Sequence, residues 1–155
     1  MTLSITGLVH VNINCSDFAR SEAFYRLLGF ERVMDVAPTT SVEVAAAVGM
    51  PPYEVRGALL ALRTGGQPVM LDLLEWVSPR DDRAPYEHLY HLGIARIAFA
   101  TDDLDAEMQR LKENGVRFLS EPASVTLPGA PMTSRFVCFF DPDGTVLELV
   151  ENKVI

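Results

Sequence analysis

The chain states one pattern twice, and that repetition constrains its fold more than any other feature. Gly7–Gly29 (GLVHVNINCSDFARSEAFYRLLG) aligns without a gap with Gly93–Gly115 (GIARIAFATDDLDAEMQRLKENG), an offset of 86 residues. In each copy an apolar, strand-like run ends in a polar cluster, a helix-like stretch follows, and a glycine closes it. The ends of the two halves match as well: Met70–Glu75 (MLDLLE) against Val146–Glu151 (VLELVE), an offset of 76. Two modules of one topology are the expectation. Within this double frame His10 answers to Arg96, and Asp72 answers to Glu148. Three of these four side chains can donate to a metal ion; the guanidinium of Arg96 cannot.

The local signals agree with the repeat. Leu8–Asn14 alternates and is rich in Val and Ile, which predicts a strand. Ser16 or Asp17 caps a helix carrying Phe24, Leu27 and Leu28 at helical spacing, and Gly29 ends it. A strand at Phe30–Val36, a short helix between Thr39 and Gly49, and strands at Val55–Leu62 and Val69–Trp76 complete a β-α-β-β-β module. The polar stretch from Ser78 to Tyr90, with two prolines, separates it from the second copy. There the pattern predicts a strand at Ile94–Ala100, then a cap at Asp102 or Asp103 and a helix with Leu104, Met108 and Leu111 on one face. A strand at Val116–Ser120 and a loop through Pro122, Pro128 and Pro131 come next. Strands at Ser134–Phe140 and Val146–Glu151 follow, joined by the turn Asp141-Pro142-Asp143-Gly144. Neither four-stranded module buries its own sheet faces. Together they are expected to form an α+β fold, a curved, cup-like mixed sheet with the helices outside and a pocket within.

Composition narrows the class of partner. An apolar fraction of 48% over 155 residues is ample for a core. No apolar stretch reaches the roughly 18–20 residues of a membrane span, and Met1–Thr6 lacks the basic start of a signal peptide. A cytoplasmic protein is therefore expected. Thirteen basic against 21 acidic residues give a net charge of −8, which disfavours nucleic acid and anionic membrane as partners. Cys15 and Cys138 lie in apolar runs and are expected to be reduced, packed thiols.

Strand alternation sorts the polar residues by face. His10 and Asn12 share one face, as do Met70 and Asp72, and Arg96 groups with Ala98 and Glu148 with Val146 and Val150. Arg135, Val137 and Phe139 form a further row, in which Arg135 is a candidate anion contact or a solvated strand arginine, and Phe139 is core or pocket wall. A carboxylate within VMLDLLEW or TVLELVE costs several kcal/mol to bury unpaired. Asp72 and Glu148 must therefore face water, meet a cation or pair with Arg96. Glu75 and Glu151, on the opposite face, are expected to face solvent.

The segments HVNINCSDFARSEAFYRLLGF, IAFATDDLDAEMQRLKENGVRF and FFDPDGTVLELVE resemble the vicinal oxygen chelate superfamily, also called the glyoxalase/bleomycin resistance/dioxygenase superfamily. The resemblance spans nearly the whole chain. It implies one glyoxalase-like domain over residues 1–155, with module one at 6–77, a linker at 78–92 and module two at 93–152. It further implies a small-molecule substrate, a homodimer, and metal ligands drawn from the first and last strands of each module. Carried over, these are His10 and Asp72 in module one, and position 96 and Glu148 in module two. Metal-dependent relatives commonly place His or Glu at position 96, and here it is arginine.

Two arrangements follow. In one, His10, Asp72 and Glu148 hold a divalent ion (Mn, Fe, Co, Ni or Zn) with open positions for substrate. In the other, which the substitution favours, no metal binds and Arg96 pairs with Glu148 or Asp72. His91 is a weaker replacement ligand. The expected function is isomerase, epimerase or lyase-like chemistry on an oxygenated or carbonyl substrate. His10, Arg96 and Glu148 would be catalytic, and Asn12, Met70, Asp72, Arg135 and Phe139 would contact the substrate. The alternative is a non-catalytic binding protein of the resistance type, with a pocket in the cup. An extradiol-type dioxygenase needs a second histidine at position 96, so Arg96 stands against it.

Overall fold

The computed structural model describes residues 4–126, 129 and 131–154; Met1–Leu3 and the loop proline Pro128 lie outside them. The chain divides into two compact units at Asp82/Arg83, within the 78–92 stretch.

The first unit runs β1 (Val11–Cys15), α1 (Phe18–Leu27), β2 (Glu31–Asp35), α2 (Val42–Ala47), β3 (Glu54–Leu62) and β4 (Val69–Ser78). Its four strands form one mixed sheet in the order β1-β4-β3-β2, with β1 parallel to β4 and the other pairs antiparallel. The second unit repeats this without the extra helix: β5 (Ile97–Ala100), α3 (Leu104–Glu113), β6 (Ala123–Thr126), β7 (Met132–Phe140) and β8 (Val146–Val154), in the order β5-β8-β7-β6. Each unit is thus the expected β-α-β-β-β module, and the fold class is α+β.

Capping chemistry explains why the helices start where they do. Asp17 Oδ1 accepts the N–H of Arg20 at 3.0 Å, and Asp103 Oδ1 accepts that of Ala106 at 2.9 Å. Gly29 and Gly115 follow the helices with φ of +93° and +78°, the left-handed region that glycine enters without penalty. Asp141 Oδ1 closes the β7–β8 turn by accepting from Asp143 N and Thr145 N at 2.9 and 2.8 Å.

Each sheet has one face under its helix and one open. In the first unit Ile13, Ala58, Leu60, Leu71 and Leu73 are buried on the helix side. In the second, Val137, Phe139, Leu147 and Leu149 are buried on the helix side, as are Leu104, Met108 and Leu111 of α3. At Gly57, a Cβ would stand 2.5 Å from both the Leu73 carbonyl and the Leu74 side chain, so β3 and β4 approach closely only because that residue is glycine.

Two boundaries differ from the sequence expectation. Regular pairing of β1 and β5 starts only at Val11 and Ile97, so His10 and Arg96 sit one residue ahead of their strands. In the second unit the strand expected at Val116–Ser120 is only a bridge from Phe118 to Phe139 beside β7, and pairing resumes as β6 at Ala123. The intervening Pro122 has no N–H to offer the ladder.

Candidate functional site

The open face of the first unit carries a polar cluster around Asp72. The parallel register sets Asn12 opposite Asp72, and Asn12 Nδ2 donates to the Asp72 carbonyl at 3.0 Å. Asp72 is half-buried, and its Oδ1 is fully shielded with no hydrogen-bond partner among the described residues. Burial raises the Asp72 carboxyl above the ordinary aspartate range, opposed by the charge of nearby His10 and by Asn12. His10 itself is exposed, and Met70, two residues before Asp72, is half-buried on the same face. Further along, Trp76 Nε1 donates to Asn14 Oδ1 at 2.8 Å, and its ring lies 4.7 Å from that of Tyr53.

The open face of the second unit carries Arg96 and Glu148. Arg96 Nε stands 3.0 Å from Glu148 Oε2, with the Arg96 side chain 43% exposed and the Glu148 side chain 9% exposed. The hydrogen bond and charge of Glu148 hold the guanidinium firmly protonated. Cys138 lies opposite Glu148 in the β7–β8 register, with Sγ 3.9 Å from Oε1. Desolvation first, and then the neighbouring carboxylate, push this thiol above its usual range, so it is a poor nucleophile.

Four residues lie elsewhere than the sequence placed them. Arg135 is on the helix side of its sheet, bonded to Asp105 at 2.8 Å and to Glu151 at 3.3 Å, so it does not reach the face of Glu148. Phe139 shares that side, fully buried, with its ring 5.5 Å from Phe118; it is core, not pocket wall. Glu75 and Glu151 do not face solvent. Each is buried and accepts the backbone N–H of the first residue of its unit's helix: Phe18 at 2.9 Å and Leu104 at 3.4 Å. The positive end of the helix and a cross-strand arginine (Arg56 for Glu75, Arg135 for Glu151) supply the charge that makes this burial tolerable. His91 packs among the rings of Tyr86, His88 and Tyr90. Cys138, which the sequence offered only as a packed thiol, is the neighbour missed. Its alternation with Phe139 carried the signal, because the two must point to opposite faces.

The second unit's donor set does not fit a divalent ion. One oxygen of Glu148 already accepts from Arg96, and the guanidinium has no lone pair to donate and repels a cation beside it.

The family model described as Glyoxalase/Bleomycin resistance protein/Dioxygenase superfamily matches residues 7–149. The chain belongs to this superfamily. It is 32% identical over 151 residues to the uncharacterized protein YwkD of Bacillus subtilis, covering 96% of this chain and 98% of that one. Among superfamily structures it is similar to a glyoxalase family protein from Bacillus cereus, with a TM-score of 0.71 at 16% identity, covering 97% and 99% of the two chains. It is also similar to the fosfomycin resistance protein FosX of Listeria monocytogenes, solved with Mn(II) and sulfate. That TM-score is 0.62 at 16% identity, with 97% and 95% covered. At such identities the structures establish the superfamily's fold for this chain and nothing finer.

Proposed function

We propose that the chain is a small-molecule enzyme of isomerase, epimerase or lyase-like chemistry on an oxygenated or carbonyl substrate, working without a resident metal. The observation that carries this reading is the Asp72 carboxylate, shielded on one oxygen, unpaired there, and beside His10. A structural carboxylate in that position would be matched by donors, as Glu75 and Glu151 are. An unmatched one beside an imidazole suits a proton-transfer pair, in which His10 takes a proton from carbon and Asp72 stabilises the imidazolium. Arg96, oriented by Glu148, is by itself a fixed cation of the kind that stabilises an oxyanion.

The test is solvent exchange. A panel of 2-oxo and 2-hydroxy acids is incubated in D2O with the protein, and exchange at the α-carbon is followed by NMR. Exchange that falls by about 100-fold or more in His10→Ala supports the reading; saturable binding with no exchange by any member of the panel sinks it.

The second reading is a non-catalytic binding protein. The Tyr53–Trp76 pair on the first unit's open face favours it, since an aromatic wall suits an apolar ligand. Both readings expect a cytoplasmic homodimer, the latter measurable by sedimentation equilibrium. Among the described residues no helix is long and apolar enough to cross a membrane.

A further inference from the structure

We propose that the second unit binds a small organic carboxylate through the free edge of Arg96, beside an apolar platform on the same sheet face. This names the substrate class of the enzyme proposed above and rests on that reading.

Glu148 takes Nε at 3.0 Å, and no other described residue bonds to the guanidinium. With 43% of the side chain exposed, Nη1 and Nη2 present a planar two-donor fork, the geometry that matches a carboxylate. Glu148 fixes the guanidinium in place, so little side-chain freedom remains to be lost on binding.

Charge balance does not defeat the site. A carboxylate on the Nη edge lies at contact distance from the cation but across the whole guanidinium from Glu148. Since Coulomb energy falls as the inverse of distance, its repulsion from Glu148 is roughly half its attraction to Arg96. The pair thus stays attractive to an anion and gives a cation little purchase on its exposed side.

The surroundings define the rest of the ligand. The β7–β8 and β5–β8 registers put Ala98, Cys138, Phe136 and Val150 on the face of Glu148, all at least partly accessible. These are apolar neighbours with no competing donor. A compact apolar or aromatic body behind the carboxylate therefore fits better than a polyhydroxylated one. The conclusion runs against the protein's net charge of −8, which taken alone would favour a cationic ligand.

The experiment compares three probes of one shape on the full chain: benzoate, benzamide and benzylamine. Binding is followed by isothermal titration and by the NMR signal of the Arg96 Nε–Hε group. Saturable binding of benzoate that shifts that signal, at least tenfold tighter than benzamide or benzylamine, supports the proposal. The double variant Arg96→Gln/Glu148→Gln removes both charges together and so leaves no buried carboxylate unpaired. Loss of benzoate selectivity there, with an unchanged circular dichroism spectrum, supports it further. Equal binding of benzamide, or benzoate binding that survives the double variant, overturns it. Benzoate binding without α-carbon exchange on any acid would end the enzyme reading and leave this one standing. Turnover of uncharged carbonyl compounds that is indifferent to Arg96 would do the reverse.

Discussion

Arg96 holds Glu148 with Nε 3.0 Å from Oε2, a half-exposed cation serving a buried anion. The asymmetry sets the energetics. Removing one partner of a fully buried pair costs about 3–5 kcal/mol, whereas exposed pairs are worth about 0–1 kcal/mol. Arg96→Ala should fall between, destabilising by roughly 1–3 kcal/mol, because water reaches the site but Glu148 must relocate or protonate. Urea denaturation at pH 7 reads this. A loss under about 0.5 kcal/mol, within the range of an ordinary surface change, would mean that the pair does not hold the carboxylate.

Glu151 makes the acid limb of stability. Lys153 at 3.0 Å, then the Leu104 N–H and Arg135, depress its carboxyl below the ordinary glutamate range despite partial desolvation. A depressed folded-state pKa contributes stability above the unfolded value, and the contribution is lost as pH falls through the folded one. Glu151→Gln should therefore be less stable than the parent at pH 7 and approach it as the pH drops below about 4. Urea midpoints across pH 3–7 test this; a gap between parent and variant that stays constant over the range would refute it.

Asp72 has the opposite sign. Its carboxyl is raised by burial, so its contribution is fully present below the unfolded aspartate pKa and is lost as pH rises through the folded value. Asp72→Asn should then be more stable than the parent at pH 7, and the advantage should shrink toward pH 3. The same variant should lose α-carbon exchange if Asp72 supports His10. A gain in thermal midpoint joined to a loss of activity is the signature of a residue kept for function at a cost in stability. A variant that is less stable at neutral pH would make Asp72 structural.

Much of this was legible in the chain itself. The repeat Gly7–Gly29 and Gly93–Gly115 announced two β-α-β-β-β units. The caps at Asp17 and Asp103 and the turn at Asp141 stand where turn chemistry places them. Alternation also put Asp72 with Asn12 and separated Glu148 from Glu151. It could not say which of two faces lies under the helix. That choice depends on partners distant in sequence: the N–H groups of Phe18 and Leu104, and the cross-strand Arg56 and Arg135. Glu75, Glu151, Arg135 and Phe139 were misplaced for that one reason. The recurrence of an arginine opposite each of these glutamates, in two matching strands, is the signal that would have corrected it.

The claim that Arg96 stands in for a metal ligand is tested most directly by metal content. Untagged protein is dialysed against chelator, then against one divalent ion at a time (Mn, Fe, Co, Ni, Zn), and assayed by plasma mass spectrometry beside Arg96→His. The account predicts far less than one ion per chain in the parent and a gain of Zn or Ni in the variant. Near one ion per parent chain that survives dialysis would contradict it, and would show that the ligands suffice with arginine at position 96.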